Sequence, residues 1–246
     1  PFSASSRPCG LRLSEHHIDD FARNYGPHAI KFCRKLGRMI IAVDGPTASG
    51  KGTISKALAE YFNLPFMDTG LLYRAVGHQV KLNGGNPDNP DDALAGCGFS
   101  DTLLDDPILR SEECGGWASR VSVHPKVRAA LNARQVEFAN RPGGALLDGR
   151  DIGTVIAPHA DVKLFVTAPT KARAERRFHE MQRRGTGASF DDILADIAIR
   201  DERDKNRVDA PLKPAQDALL LDTGDLTIGG SVQAAIALVE GKIRAG

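Results

Sequence analysis

Gly45–Thr53, GPTASGKGT, is the stretch of sequence that decides the fold. A glycine, four residues and then Gly-Lys is the spacing of loops that bind phosphate through inward-pointing backbone N–H groups. A short apolar run, Met39–Val43, precedes the loop, and a helical pattern follows it over Thr53–Phe62. Because a predicted strand precedes the loop and a predicted helix follows it, a chance glycine-rich turn explains this sequence poorly. We therefore expect this loop to bind a nucleoside triphosphate.

Each part of the loop has a physical role. Glycine lets the backbone approach a ligand closely, the start of the following helix adds its positive end, and Lys51 supplies a full charge for the β- and γ-phosphates. The strict motif has Ser or Thr straight after the lysine, whereas Gly52 intervenes here before Thr53. The nucleotide-binding set that we predict is Gly45, Pro46, Thr47, Ala48, Ser49, Gly50, Lys51, Gly52 and Thr53.

Apolar runs and helical patterns alternate along the rest of the chain. Four more runs fit buried strands, at 64–67, 145–147, 162–167 and 218–221. Helical patterns separate them, at 72–82, 125–140, 170–184, 190–207 and 231–242. Because the strand runs are continuous rather than alternating, the sequence predicts an α/β fold in which a five-stranded parallel sheet has helices on both faces.

The domain that we expect covers residues 39–246. It includes a small acceptor-binding insert at about 83–124, which begins in a stretch rich in Gly, Pro, Asn and Asp. It also includes a short lid at about 173–190, which contains Arg173, Arg176, Arg177, Arg183 and Arg184. Residues 1–38 show no clear periodicity, and we expect an N-terminal extension there that is disordered or not native.

Composition excludes some function classes. The 246 residues carry a net charge of +1, which gives no electrostatic case for nucleic acid. Residues 1–38 carry a net +4, and the three acidic residues among them count against a transit peptide. No stretch approaches the roughly 18 apolar residues of a membrane span. The four cysteines lack CxxC spacing, which predicts reduced thiols in a cytoplasmic protein.

Further motifs follow the loop in order. They are MDTGLLYR at 67–74, ASRVS at 118–122 with PKVR at 125–128, LDGRDIGT at 147–154, and RDERDKNR at 200–207 with APL at 210–212. Together with the Gly-Lys-Gly-Thr form of the loop, they resemble bacterial cytidylate kinases, a family of nucleoside monophosphate kinases. The resemblance runs from about residue 39 to 239 and implies a P-loop kinase fold. The segment 83–118 is shorter than is usual in that family, so its shape is not predicted.

Three residues are candidates for holding an acceptor phosphate. Thr69 follows a strand and opens a helix, and Arg74 lies about one turn further on, so both can reach one anion. The alternative for this pair is a helix cap and a solvated arginine. Arg150 follows the run at 145–147, and ligands of open α/β sheets gather at the carboxyl ends of strands. The family resemblance assigns Thr69, Arg74 and Arg150 to the acceptor phosphate.

Three further residues are candidates for reading the acceptor base. The resemblance assigns Asp151 to cytosine, and a carboxylate suits that base because it accepts from the exocyclic amine. Ser119 and Arg128 match the family's other base-contacting positions. Taken alone, Arg128 looks like a solvated residue on an exposed helix face, and Asp148–Asp151 looks like a salt-bridged surface turn.

Arg200, Asp204 and Arg207 recur at i, i+4 and i+7, which places them on one face of a predicted helix. The functional interpretation has both arginines gripping phosphates and Asp204 bonding a ribose hydroxyl; the alternative is a surface helix laced with ion pairs. Lys51, Arg150, Arg200 and Arg207 are the predicted catalytic cations. Thr53 and Asp148 are candidates for holding Mg²⁺, directly or through water.

The resemblance implies transfer of the γ-phosphoryl group of ATP, with Mg²⁺, to CMP or dCMP. We expect a monomeric cytoplasmic enzyme that binds these small molecules and neither nucleic acid nor a membrane. A broader pyrimidine monophosphate kinase is an alternative, as is a P-loop ATPase or switch protein. The switch leaves the ordered arginine and aspartate motifs unexplained.

Overall fold

The computed structural model describes residues 39–183, 185 and 187–245. The expected N-terminal extension, 1–38, and Arg184 of the expected lid lie outside the described residues. Five strands form one sheet: β1 (Ile40–Asp44), β2 (Phe66–Asp68), β3 (Ala145–Gly149), β4 (Val162–Thr167) and β5 (Leu219–Asp222).

Eight α-helices accompany these strands among the described residues, and four of them lie between β2 and β3. They are α1 (Lys51–Tyr61), α2 (Thr69–Leu82), α3 (Pro90–Ala95), α4 (Glu112–Val121), α5 (Pro125–Ala139), α6 (Thr170–Arg183), α7 (Phe190–Lys205) and α8 (Ile228–Ala245). No helix among the described residues combines the length and the apolarity needed to cross a membrane.

The sheet is parallel throughout, in the order β2-β3-β1-β4-β5. Ile41 and Val43 pack on one face of it with Leu58 of α1 and Val239 of α8. On the other face, Ala42 packs with residues of α5 and of the turn after β3. The predicted α/β fold with helices on both faces is confirmed.

The first turns of two helices escaped the sequence pattern. α1 begins at Lys51 and α2 at Thr69, whereas apolar spacing alone indicated Thr53 and Leu72. The prediction that Thr69 opens a helix, made from its place after a strand, is confirmed. The first two residues of each helix are Lys51 and Gly52 or Thr69 and Gly70, and these line a cleft rather than the core. α7 ends at Lys205. Arg207 therefore lies beyond this helix, and the prediction that it shares a helix face with Arg200 and Asp204 is wrong.

The segment between α2 and α5 is helical in all its regular structure. It contains α3, α4 and three short 3₁₀ turns, at Gly96–Gly98, Asp101–Asp105 and Pro107–Arg110. Val76 and Val80 of α2 form a small core with Val121 and Leu131. This core holds α4 against α2, and α4 thereby faces the carboxyl ends of β1 and β3 across a cleft.

Candidate active site

The loop Gly45–Thr53 joins β1 to α1 and is shaped by close packing. A Cβ at Gly45 would lie 2.0 Å from the carbonyl oxygen of Val166, so a side chain there collides with β4. Gly50 has φ +86°, in the left-handed region that favours glycine. The hydroxyl of Ser49 is buried and has no hydrogen-bond partner among the described residues. A loop with an unpaired buried hydroxyl fits an anionic ligand.

Lys51 begins α1 and points toward the end of β3. Its Nζ lies 3.4 Å from Oδ1 of Asp148. Burial, together with nearby Arg150, lowers the pKa of Lys51, while burial raises the pKa of Asp148 against the opposing effect of Lys51. Both shifts reflect charges held out of water, where an added polyanion is attracted strongly.

A cleft of about 310 Å³ opens between the loop, α2, α4, the end of β3 and α7. Most of the predicted site residues line it. They are Thr47, Ala48, Lys51, Gly52, Thr69, Arg74, Ser119, Asp148, Arg150, Asp151, Arg200, Asp204 and Arg207. The four predicted catalytic cations are thus brought together, although they come from three separate parts of the chain.

The remaining predicted site residues do not line this cleft. Gly45, Pro46, Ser49 and Gly50 shape the loop behind it, and Arg128 lies behind Asp151. Thr53 is exposed on α1. Of the two residues predicted to hold a metal, Asp148 therefore faces the cleft and Thr53 does not.

The corner of the cleft at α2 gathers positive charge. Arg74 donates from Nη1 to the carbonyl oxygens of Leu109 and Ser111, at 2.7 Å each, which fixes its guanidinium. Burial, reinforced by Arg177 and Arg200, lowers the pKa of Arg74 to about 10. Cations that lower one another's pKa in this way are typical of a site for a multiply charged anion.

Thr69 differs in detail from its predicted role. Its hydroxyl donates to the carbonyl oxygen of Asp148 at 2.8 Å. The cap of α2 is Asp68, whose carboxylate accepts from the N–H of Gly70 at 3.0 Å. The hydroxyl of Thr69 therefore joins α2 to β3 and does not donate to an anion. Thr69 can contribute to an anion site only through its position at the start of α2.

Two more arginines are held by carboxylates at the cleft. Arg150 Nε lies 2.9 Å from Oδ2 of Asp204, and Arg200 Nε lies 2.9 Å from Oδ2 of Asp196. Burial works to lower the pKa of Arg150, but Asp204, together with Asp148 and Asp68, outweighs burial and the pKa is raised overall. Arg207 donates to the carbonyl oxygen of Ala210, while its buried Nε has no hydrogen-bond partner in the described part of the chain. A buried, unpaired guanidinium donor again fits an anion.

The opposite corner of the cleft is built around Asp151. Arg128 of α5 donates from Nη2 to Oδ2 of Asp151 at 2.5 Å, and it also reaches the hydroxyl of Tyr73 at 3.4 Å. Arg128 is 2 % exposed, so the view of it as a solvated residue on an exposed helix face is wrong. The pair leaves Oδ1 of Asp151 available to accept from a ligand in the cleft.

Asp44 ties the phosphate-binding loop to this corner. It is the last residue of β1, and its carboxylate accepts from the N–H groups of Ile152 and Gly153, at 2.8 Å each. Those residues directly follow Asp151. Sequence reasoning missed Asp44, and the available signal was a lone carboxylate at the carboxyl end of a buried strand. Burial, aided by Asp151 and Asp148, raises its pKa to about 7.

The pKa of Asp44 makes stability depend on pH. The unfolded chain loses this proton near pH 3.8 and the folded chain at about 7, so the folded state binds more protons between these values. We expect wild type to lose stability relative to Asp44→Asn as pH rises across this interval, by on the order of 4 kcal/mol. Urea unfolding of both proteins over that range measures the difference, and a difference that stays flat with pH contradicts the assignment.

The lid arginines have separate environments. Arg173 is buried and pairs with Asp201 at 2.5 Å, and Arg176 donates to Thr223 and Gly224, so both hold α6 against the body of the protein. Arg177 lines the cleft and pairs with Glu112 of α4 and Glu180. Sequence reasoning gave no role to any of them, because spacing alone does not separate a buried arginine from one in a cleft.

The residues at the cleft do not form a metal cage by themselves. No group of three or more His, Cys, Asp or Glu side chains in the described ranges is arranged to hold a metal ion. Mg²⁺ in kinases is usually held by one or two carboxylates together with phosphate oxygens and water. Asp148, at the cleft beside Lys51, fits such a partial contribution.

A parallel sheet with this loop at the end of β1 and arginines around the adjoining cleft defines a P-loop kinase, a phosphotransferase. A family model described as cytidylate kinase matches residues 41–95 and 97–241. The chain belongs to the cytidylate kinase family.

Individual relatives agree with this family. The cytidylate kinase of Cereibacter sphaeroides (strain KD131) is 54% identical over 203 residues, which is 82% of this chain and 96% of that protein. That of Rhodopseudomonas palustris (strain CGA009) is 54% identical over 212 residues, 85% of this chain and 98% of that protein. An uncharacterized protein from Eubacterium ventriosum shares the fold with a TM-score of 0.51 at 15% identity, covering 83% of this chain and 99% of that one.

Proposed function

We propose that this chain transfers the γ-phosphoryl group of ATP to CMP or dCMP, giving ADP and CDP or dCDP. The observation that carries the proposal is the corner at Asp151, where Arg128 binds one carboxylate oxygen and leaves the other facing the cleft. An acceptor-only oxygen accepts from the exocyclic amine of cytosine. Uracil presents a carbonyl oxygen at the same position, and two acceptors repel.

The acceptor phosphate lies, in this proposal, between Arg74, Arg150 and Arg207. One of its oxygens attacks the γ-phosphorus in line, the new O–P bond forms as the bond to the bridging oxygen of ATP breaks, and ADP leaves with that electron pair. The phosphate is already largely ionised near pH 7, so no general base is required. The protein's task is to bring two anions together and to orient them.

Lys51, Arg150, Arg200 and Arg207 supply positive charge where the transferring group passes. Their charges are held by protein contacts before the substrates arrive, so they need little rearrangement in the transition state. Asp204 accepts from Arg150 and lies at the cleft where a ribose hydroxyl can reach it. Asp148 would hold Mg²⁺ in part, and the ion would supply positive charge that neutralises the charge developing on the transferring group.

The lid expected at about 173–190 would, in this proposal, exclude water, which otherwise competes as acceptor. We further propose that the chain acts as a monomer in the cytoplasm. The cysteine spacing is that of reduced thiols, which fits the cytoplasm.

Acceptor profiling tests the proposed function. ADP release is measured with ATP and each of CMP, dCMP, UMP, AMP, GMP and dTMP, and we expect kcat/KM to be highest for CMP or dCMP. Comparable turnover of UMP indicates a broader pyrimidine monophosphate kinase. ATP hydrolysis that does not respond to any acceptor indicates an ATPase or switch, and faster turnover of AMP, GMP or dTMP overturns the proposal.

A further inference from the structure

Ser119 stands in the cleft without an obvious means of being oriented. A serine hydroxyl carries one donor and two acceptor lone pairs and rotates to suit its surroundings. Cytosine presents both an amine donor and a ring-nitrogen acceptor on its pairing edge, so a free rotor can engage it in more than one way. Something must fix Ser119 if it contributes to reading the base.

Arg203 is the residue in contact with that hydroxyl. It lies in the last turn of α7 and donates from Nη1 to Oγ of Ser119 at 2.7 Å. Arginine has no acceptor, so the direction of this bond is certain: Ser119 accepts, and its own proton must point elsewhere. Arg203 is half-buried and is not among the residues that line the cleft, so it reaches the serine from behind.

The same bond completes a two-point contact between α4 and α7. Gly115 and Ser119 are four residues apart on one face of α4, and Arg200 and Arg203 are three apart on one face of α7. A Cβ at Gly115 would lie 3.1 Å from Nη1 of Arg200, so the side chain of Arg200 lies against α4 there. The Arg203–Ser119 bond is a second point about one turn along, and two points fix how α4 is rotated about its axis.

We propose that Arg203 is a positioning residue for recognition of the acceptor base, acting through Ser119; this inference rests on the proposed function. Arg203 uses one lone pair of the serine and holds α4 in register with α7. The serine is then left with one donor and one acceptor directed into the cleft. Asp204, the residue after Arg203, lines the cleft. Adjacent residues of one helix turn therefore act on the two parts of the acceptor, Asp204 on the ribose and Arg203, through Ser119, on the base.

The test is a double-mutant cycle on the full chain with CMP as acceptor and saturating ATP. Arg203→Ala and Ser119→Ala are each expected to raise KM for CMP about tenfold, the effect of one lost charge-assisted hydrogen bond. The double variant is expected to match either single variant within about twofold, because both changes remove the same contact. KM for ATP is expected to stay within about twofold of wild type in all three.

Lys205→Ala is the matched control. Lys205 is exposed, carries the same charge and lies in the same last turn of α7, so it reproduces any effect of removing a cation from the helix end. We expect it to leave KM for CMP unchanged. Arg203→Lys, which keeps a donor, is expected to recover part of the loss and guards against a folding defect in Arg203→Ala.

Two results overturn the inference. One is a KM for CMP in Arg203→Ala within about twofold of wild type while Ser119→Ala raises it; the other is a double variant whose losses multiply, which shows that the residues act independently. The wild-type acceptor profile separates these from a failure of the proposed function. If wild type prefers another acceptor, the proposed function is wrong. If wild type prefers CMP and the effects of the two substitutions on KM multiply, only the proposed role of Arg203 is wrong.

Discussion

Lys51→Met is expected to lower kcat/KM for phosphoryl transfer to CMP by about 10³-fold, in the range seen when one preorganised electrostatic donor is removed. Methionine keeps the length and most of the apolar stem of lysine and deletes only the charge. Lys51 lies in the cleft at the start of α1, where its ammonium lies close to both Asp148 and Arg150. Without it, the attacking and transferring phosphates meet with one cation fewer. Burial already raises the pKa of Asp148 against the effect of Lys51, so in the variant this carboxyl takes up a proton instead of remaining an unpaired buried charge.

The fold itself should tolerate this change. Burial lowers the pKa of Lys51, which means that the folded protein disfavours its charged form and gains little stability from it. Thermal unfolding is therefore expected near the wild-type temperature. Lys56→Met is the control, because Lys56 lies exposed on the same helix. Activity of Lys51→Met within tenfold of wild type contradicts the assignment of this lysine to the transferring group.

Asp151→Asn is expected to lower kcat/KM for CMP by about 100-fold, which is the discrimination available from a well-made contact to a base edge. Activity with UMP is expected to hold or rise, since an amide can donate to the uracil carbonyl that a carboxylate repels. The ratio of kcat/KM for CMP to that for UMP is the measurement. A ratio equal to that of wild type shows that Asp151 does not read the base.

Stability changes with the same substitution, for a separate reason. Arg128 is 2 % exposed, and Asp151 balances its buried charge. Breaking a buried ion pair costs about 3 kcal/mol or more because one charge remains uncompensated. Asp101→Asn is a matched control: Asp101 pairs at 2.7 Å with Arg134, on the same helix as Arg128, but its side chain is 76% exposed. It should cost less than about 1 kcal/mol and leave base selectivity unchanged.

The fold was predictable because its signals are local. The loop at Gly45–Thr53 and the continuous apolar runs are readable within ten residues each, and the five strands were found within two residues of their ends. The ends of helices were less predictable. Apolar periodicity alone would start α2 at Leu72, because Thr69 and Gly70 line the cleft and add nothing to the apolar pattern. Only the place of Thr69 directly after a strand predicted the true start.

Site residues that belong to a sequence motif were predicted. Contacts that depend on a partner far away in the sequence were missed. The resemblance named Arg128, but the buried pairing of that residue with Asp151 depends on a contact 23 positions away along the chain. Asp44 reaches across 108 positions to Ile152, and Arg203 across 84 to Ser119. Patterns of one sequence contain no record of such pairs, since each side chain alone looks like an ordinary surface charge.

Arg173 has a consequence for which parts of the molecule can move. Its guanidinium donates to the carbonyl oxygens of Thr47 and Ala168 and to the carboxylate of Asp201. One buried side chain therefore fastens the donor loop, the end of β4 and the helix that carries Arg200 into a single rigid frame. It follows that the loop, the end of β4 and α7 can shift relative to one another only if the contacts of Arg173 break.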